Sequence, residues 1–375
     1  DVRSALLASV YEIKNPPEVL CFQSALALQC FTNEYIYNQN DKETLAIEVL
    51  EAEVRESLLR GEQPSPQSIL CLASYKSLHQ YKWSNLIILT SIIEEVVTRQ
   101  ILEPKQENLL KSNILVLQEI TNKVSSKVRE QYEESPYPRW INMGLSLKPV
   151  EFSNETKKLK LKLFDDSIND IEAPNILIAG CGTGQQSIAP ASKFKNAKVL
   201  AVDLSLSSLA YAKRKTEELG IQNIDYMQAD ILDLGKLDRR FNIIKCAGVL
   251  HHMDDPMAGW RSLTDCLELG GLMKIALYSE LARKHIVRMR EEISQLGIGT
   301  SSFAMRSFRK HVINSSEVHH KIMKSTKDFY SLSELRDLLF HVQEHRFSIL
   351  QLKDCLSQLD LKFCGNGIET PTDKE

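Results

Sequence analysis

The chain has 375 residues, 43% hydrophobic and 25% charged, with a net charge of −3. That is the make-up of an ordinary globular protein with room for two domains, and it lacks the basic excess that a nucleic-acid binder uses. The greasiest stretch, 86–97, is interrupted by Glu94 and Glu95, so neither a membrane span nor a signal peptide is expected, and the eight cysteines stand singly, as reduced cytoplasmic thiols do and zinc ligands do not.

Residues 1–125 read as an all-α domain. Leu20, Ala27, Cys30 and Phe31 recur at helical intervals, and Leu45, Val49, Leu50, Val54 and Leu58 repeat the pattern between Asp41 as cap and Gly61 as stop. Ser65 and Pro66 open a third helix with Ile69, Leu72, Ala73 and Leu78 inside, and a fourth is expected from Asn85 to Leu102. Tyr75, His79 and Tyr81 belong to core or rim. There is no 34-residue period, so the region is read as a docking or dimerisation module, repeat-derived at most.

Residues 126–150 form a link. A helix from Thr121 to Glu133 runs into Gln131-Tyr-Glu-Glu-Ser-Pro-Tyr-Pro-Arg-Trp140, where Pro136 and Pro138 hold the chain extended. Tyr137, Arg139 and Trp140 then project from a rigid strap, either as aromatic plugs with an arginine ion pair or toward a substrate.

Residues 151–280 change period. Ile176 to Ala179 make a short, doubly buried strand that breaks into Gly180-Cys-Gly-Thr-Gly184, a turn in which a ligand can approach bare backbone amides. The second and third glycines are two positions apart, where a dehydrogenase fingerprint needs three. Cys181 fills the tight loop. Lys198 to Val202 form a strand ending in Asp203, whose carboxylate can accept both hydroxyls of a ribose. Ser205 caps a helix that Gly220 stops after Leu219, and a strand from Ile224 to Met227 leads to Asp230, with Ile231 to cover a flat ring. Phe241 to Met253 follows, containing Val249-Leu-His-His-Met253, and Leu269-Gly-Gly271 precedes a strand from Leu272 to Leu277.

In order and spacing these segments resemble class I S-adenosylmethionine-dependent methyltransferases. The resemblance implies a Rossmann-like doubly wound α/β sheet preceded by the all-α domain, with S-adenosylmethionine as cofactor and S-adenosylhomocysteine as product. It places Gly180, Gly182 and Gly184 at the methionine part, Asp203 at the ribose and Asp230 at the adenine with Ile231 over the ring, and Cys181, Leu204 and Ala247 are further expected cofactor contacts. The strap, with Asp328-Phe-Tyr-Ser331 and Leu338 to His345, is similar to bacterial methyltransferases that carry tetratricopeptide repeats upstream, a group related to lysine methyltransferases of outer-membrane proteins. Methyl transfer from a sulfonium is an in-line displacement that needs alignment and dryness and no metal. At the acceptor side we expect His251, Tyr137 and Tyr132 as catalytic groups, with Arg139, Trp140, His252, Tyr278, His341 and His345 along the substrate wall. A pocket-shaping role for the His251–His252 pair is the stronger reading. The expected acceptor is a protein side chain, lysine first; a small-molecule acceptor, or a helical scaffold whose nucleotide domain does not turn over, is the alternative.

Residues 281–347 read as a helical insertion or substrate cap. Arg283, Lys284, Arg288, Arg290, Arg306, Arg309, Lys310 and His311 give it a charged, solvated face around a flexible link at Gly297 to Ser302. His341, Glu344 and His345 are helix neighbours if that segment is helical; if it is extended, only His341 and His345 share a face. In residues 348–375, Ser348 caps a helix through Leu359, and Leu361 to Cys364 are expected as a sixth strand. No seventh strand fits the polar tail, so a longer parent chain is expected.

Overall fold

The structure, a computed structural model, describes residues 2–11, 16–146 and 148–366. The chain forms two units: Asp1–Leu109 with His285–Phe340, and Leu110–Lys284 with His341–Glu375.

In the first unit the apolar stripes of helices Pro17–Thr32, Asp41–Leu59 and Pro66–Ala73 meet around Ala27, Leu50, Val54, Ile69 and Leu72. The cap of the second of these is Asn40 rather than the expected Asp41. Asn40 accepts from the Glu43 amide at 3.0 Å while the Glu43 carboxylate accepts from the Asn40 amide at 3.0 Å, a reciprocal capping box. Glu43 also takes the Tyr75 hydroxyl at 2.8 Å. The fourth helix begins at Glu94, not Asn85, because Gln63 holds the Leu86 carbonyl and the Ile88 amide in a non-helical link.

The segment His285–Phe340 meets the amino-terminal stretch at the turn that follows helix Pro17–Thr32. Its helices Lys284–Gln295, Ser302–Asn314 and Val318–Lys324 enclose Met289, Met305, Phe308, Val312 and Met323, and Ile36 completes that cluster. Leu332 donates its amide to the Asn33 carbonyl at 3.2 Å. The basic run is therefore only partly a solvated face. Arg309 is buried, donates to the Phe329 carbonyl at 3.0 Å and lies over that ring, and Arg290 donates to the Leu339 carbonyl at 3.2 Å. Lys284, Arg288 and Lys310 are exposed.

The second unit is a parallel six-stranded sheet in the order β1-β4-β3-β2-β5-β6: β1 Leu115–Val116, β2 Asn175–Ala179, β3 Lys198–Asp203, β4 Ile224–Gln228, β5 Phe241–Ala247 and β6 Leu267–Ala276. Helices Gln185–Lys193 and Leu206–Glu218 pack against Ile176, Ile178, Val199 and Ala201 on one face. Pro256–Asp265 and Ile349–Gln358 pack against Leu177, Leu200 and Ile244 on the other. Both faces of the central strands are thus covered, which is why β2 and β3 read as continuous apolar runs. Ser205 and Ser348 cap their helices as expected.

Three strand expectations need correction. Leu361–Cys364 is not a strand; the Cys364 carbonyl accepts from the Lys162 amide at 2.8 Å, and no ladder forms there. The sixth strand is β1, on the opposite edge beside β4. β6 begins at Leu267, ahead of Gly270, whose φ of +75° a β-branched residue would resist. Residues 367–375 lie outside the described residues.

Candidate cofactor and acceptor site

β2 ends in a turn that only glycines can make. Gly180, Gly182 and Gly184 have φ of +73°, +52° and +95°. A Cβ at Gly180 would sit 2.2 Å from a Val249 methyl, and one at Gly182 would sit 2.8 Å from the Tyr137 carbonyl oxygen. Conformation and crowding therefore demand the same residue.

The Asp203 carboxylate, at the end of β3, accepts from the Gly182 amide at 2.8 Å and from the Ser205 amide at 2.9 Å. Burial raises its pKa, those N–H donors oppose the rise, and the negative charge of Glu133 adds to it. The Leu204 carbonyl accepts from the Gln228 amide at 2.7 Å. After β4, Asp230 is buried and caps the 3₁₀ turn Ile231–Leu237 by accepting from the Leu232 amide at 3.0 Å, with Ile231 buried beside it. At the end of β5 the Ala247 carbonyl accepts from Gln186 at 3.2 Å. Cys181 is buried and its thiol pKa is pushed up by burial and then by Asp203, so it fills the loop as an inert thiol. The residues singled out for a nucleoside thus lie at the carboxyl ends of four neighbouring strands, the edge where open parallel sheets bind ligands.

The strap is fastened to this turn. The Thr183 hydroxyl donates to the Pro138 carbonyl, the Trp140 indole N–H donates to the Thr183 carbonyl at 2.9 Å, and the Tyr211 hydroxyl donates to the Trp140 carbonyl. Trp140 is buried with Ile188 and Tyr211, the plug arrangement, whereas Arg139 next to it is half-buried. Trp140→Phe removes one buried hydrogen bond and leaves a small cavity where the second ring stood, so unfolding by urea should show a loss of about 2 kcal/mol. An unchanged midpoint would mean that this bond contributes nothing.

On the acceptor side, six expected residues fall into one file of rings. Tyr137 lies 6.5 Å from Tyr132, Tyr132 5.9 Å from His341, His341 3.5 Å from His252, His252 4.3 Å from His251, and His251 3.6 Å from Tyr278. The Arg283 guanidinium closes the file, 3.6 Å from the Tyr278 ring centre, and is itself held by the buried Glu344 in a two-pronged pair at 3.0 and 2.6 Å. His341 to Arg346 are not helical, and the chain bends at Val342; His345 donates its amide to the His251 carbonyl at 2.7 Å. His252 Nδ1 lies 2.7 Å from the Gln343 carbonyl, which can only accept, so His252 carries a proton there. His251 is 1% exposed, and neither ring nitrogen has a hydrogen-bond partner among the described residues. Burial, then the nearby His252, Arg283 and His345, push its pKa down to about 2. His251 is a neutral ring and a weak proton acceptor.

Sequence reasoning missed two groups here. Glu133 accepts from the Leu206 and Ser207 amides at the start of the helix after β3, and pairs with Lys111 at 3.7 Å. The Arg283–Glu344 clamp was hidden because Arg283 stood in a run of surface-type charges.

The glycine turn, Asp203 and Asp230 stand at the ends of β2, β3 and β4. Residues 176–271 match the family model described as a methyltransferase domain. This segment is thus similar to methyltransferase domains. Among curated relatives, an uncharacterised protein of Synechococcus is 29% identical over 201 residues, 51% of this chain and 48% of its own. The ubiquinone biosynthesis O-methyltransferase of Coxiella burnetii is 33% identical over 132 residues, 35% of this chain and 53% of its own. The chain spans about half the length of these curated relatives. The solved structure of PKMT2 from Rickettsia typhi in complex with AdoHcy is 19% identical, with a TM-score of 0.48, covering 63% of this chain and 48% of that one. Among the described residues, no helix is long and apolar enough to cross a membrane.

Proposed function

We propose that the whole protein is an S-adenosylmethionine-dependent methyltransferase acting on a protein side chain, a lysine amine first. The observation that carries this reading is the ring file from Tyr137 to Tyr278, which begins at the residue whose carbonyl lies against Gly182. The donor supplies a methyl group on a sulfonium. The chain's own task is to present a neutral nitrogen in line with it. An ammonium entering a wall of rings loses hydration, which favours release of its proton. We assign receipt of that proton to the His252 ring in the middle of the file, and Tyr132 and Tyr137 offer ring faces to the more cationic methylated product. When the nitrogen lone pair forms the new C–N bond, the old C–S pair stays on sulfur and S-adenosylhomocysteine leaves.

The name of the Coxiella relative favours a second reading, transfer to a small-molecule oxygen. Incubating the protein with methyl-labelled donor and a lysate of the source cell separates the two. Label recovered on lysine after acid hydrolysis supports the first. Label found only in the metabolite or lipid fraction replaces it with the second, and no label despite calorimetric donor binding would leave a scaffold without turnover.

A further inference from the structure

The first unit contains a side-chain cluster that methyl transfer does not use. Glu292, on helix Lys284–Gln295, points its carboxylate at three imidazoles from two other helices. His319 and His320, on Val318–Lys324, place Nε2 at 3.0 and 2.8 Å from the same oxygen, Oε2. His311, on Ser302–Asn314, places Nε2 at 3.3 Å from the other oxygen, Oε1. His319 and His320 are 7% and 2% exposed, while the His311 side chain is 55% exposed, so the cluster is buried on one side and reachable from the other.

A carboxylate has lone pairs enough for three N–H donors, so hydrogen bonding can account for the Nε2 atoms; it leaves the far side of two of the rings unexplained. The Nδ1 atoms of His319 and His320 are buried with no hydrogen-bond partner among the described residues. The protein has therefore enclosed two imidazoles and spent their polar atoms on a shared acceptor. The ligand atoms of Glu292, His319 and His320 all lie within 4.8 Å of one another. Donors around a tetrahedral zinc ion stand about 3.3 Å apart at metal–nitrogen distances near 2.0 Å, and the separations of 2.8 to 3.3 Å from the carboxylate approach that figure. Imidazole and carboxylate are the ligands of a borderline divalent ion rather than of calcium or magnesium.

We infer that Glu292, His319 and His320, with the exposed His311 swinging in as a fourth ligand, form a site for one divalent transition-metal ion of the zinc type, tying three helices together beside the Met289, Met305 and Phe308 cluster. The ligands come from residues 28 positions apart at the extremes, with none of the close pairs that mark zinc fingers. This is why the sequence gives no metal signal.

The full chain, stripped with chelator, is titrated with Zn²⁺ by calorimetry and with Co²⁺ by visible absorption. We expect one ion per chain, a tetrahedral Co²⁺ spectrum without the thiolate charge-transfer band that its cysteines would add, and a raised melting temperature. The double variant His319→Ala/His320→Ala should lose affinity by more than the roughly 10–100-fold that loss of a mere ligand-supporting group costs. His311→Ala, altering an exposed side chain, tests the site even if the double variant fails to fold, and should weaken binding about 10-fold or more. Sub-stoichiometric binding, a thiolate band, or unchanged affinity in His311→Ala together with any folded His319→Ala or His320→Ala variant would overturn the assignment.

Discussion

Asp203→Ala is expected to weaken S-adenosylmethionine binding by about 100-fold or more, or about 2.7 kcal/mol. The carboxylate has two tasks. It accepts the Gly182 and Ser205 amides, fixing the turn on the end of β3, and in the cofactor assignment it accepts the ribose hydroxyls. Hydrogen bonds to a charged partner are worth roughly 1.5–3 kcal/mol each, and alanine removes both sets. Asp203→Asn keeps the size and one carbonyl oxygen, and should fall between the two. Because burial raises the Asp203 pKa, the ionised side chain is a cost to folding at neutral pH, one that bound hydroxyl donors offset. Affinity should therefore fall on acidification, at a pH above the normal range for an aspartate. Calorimetry of the three proteins checks this; an unchanged dissociation constant in Asp203→Ala would remove Asp203 from the site.

The second large effect is on stability in mild acid. His251 titrates near 6.5 when unfolded and at about 2 when folded. As pH falls below 6.5 the unfolded chain takes up a proton that the folded chain refuses. The stability present above that pH is then lost at about 1.4 kcal/mol per pH unit, down to the folded value. His251→Phe keeps a flat ring against Tyr278 and cannot take the proton. Urea unfolding at pH 7.5 and 5.5 should show wild type losing about 1.4 kcal/mol more than the variant between the two. Equal losses would mean that His251 is not held neutral.

What was legible in the chain followed from local physics. β2 and β3 were found within a residue or so because both faces of each are covered and their inner positions are apolar, whereas β4 was found although its Asp225 is exposed. The glycine turn, Ser205 and Ser348 announced themselves because a positive φ or a bare helix start admits few residue types. The six ring residues were named one by one, but their file depends on a parallel contact between residues 279 and 347, which no local pattern encodes. β1 is two residues long and takes its identity from β4, over a hundred positions later. The arginines failed for the opposite reason: a basic run looks the same whether its guanidinium groups meet water, as at Arg288, or a buried carbonyl, as at Arg309.

The first unit is assembled from two stretches of chain that are not made together. Ile36 belongs to the same apolar cluster as Ile286 and Phe340, about 250 to 300 residues later in the order of synthesis. On the ribosome the opening helices must wait, with Ile36 uncovered, while the whole glycine-turn segment emerges. That waiting period makes the nascent amino-terminal helices a natural client for chaperones. It also means that a protein truncated after residue 284 would leave Ile36 permanently uncovered.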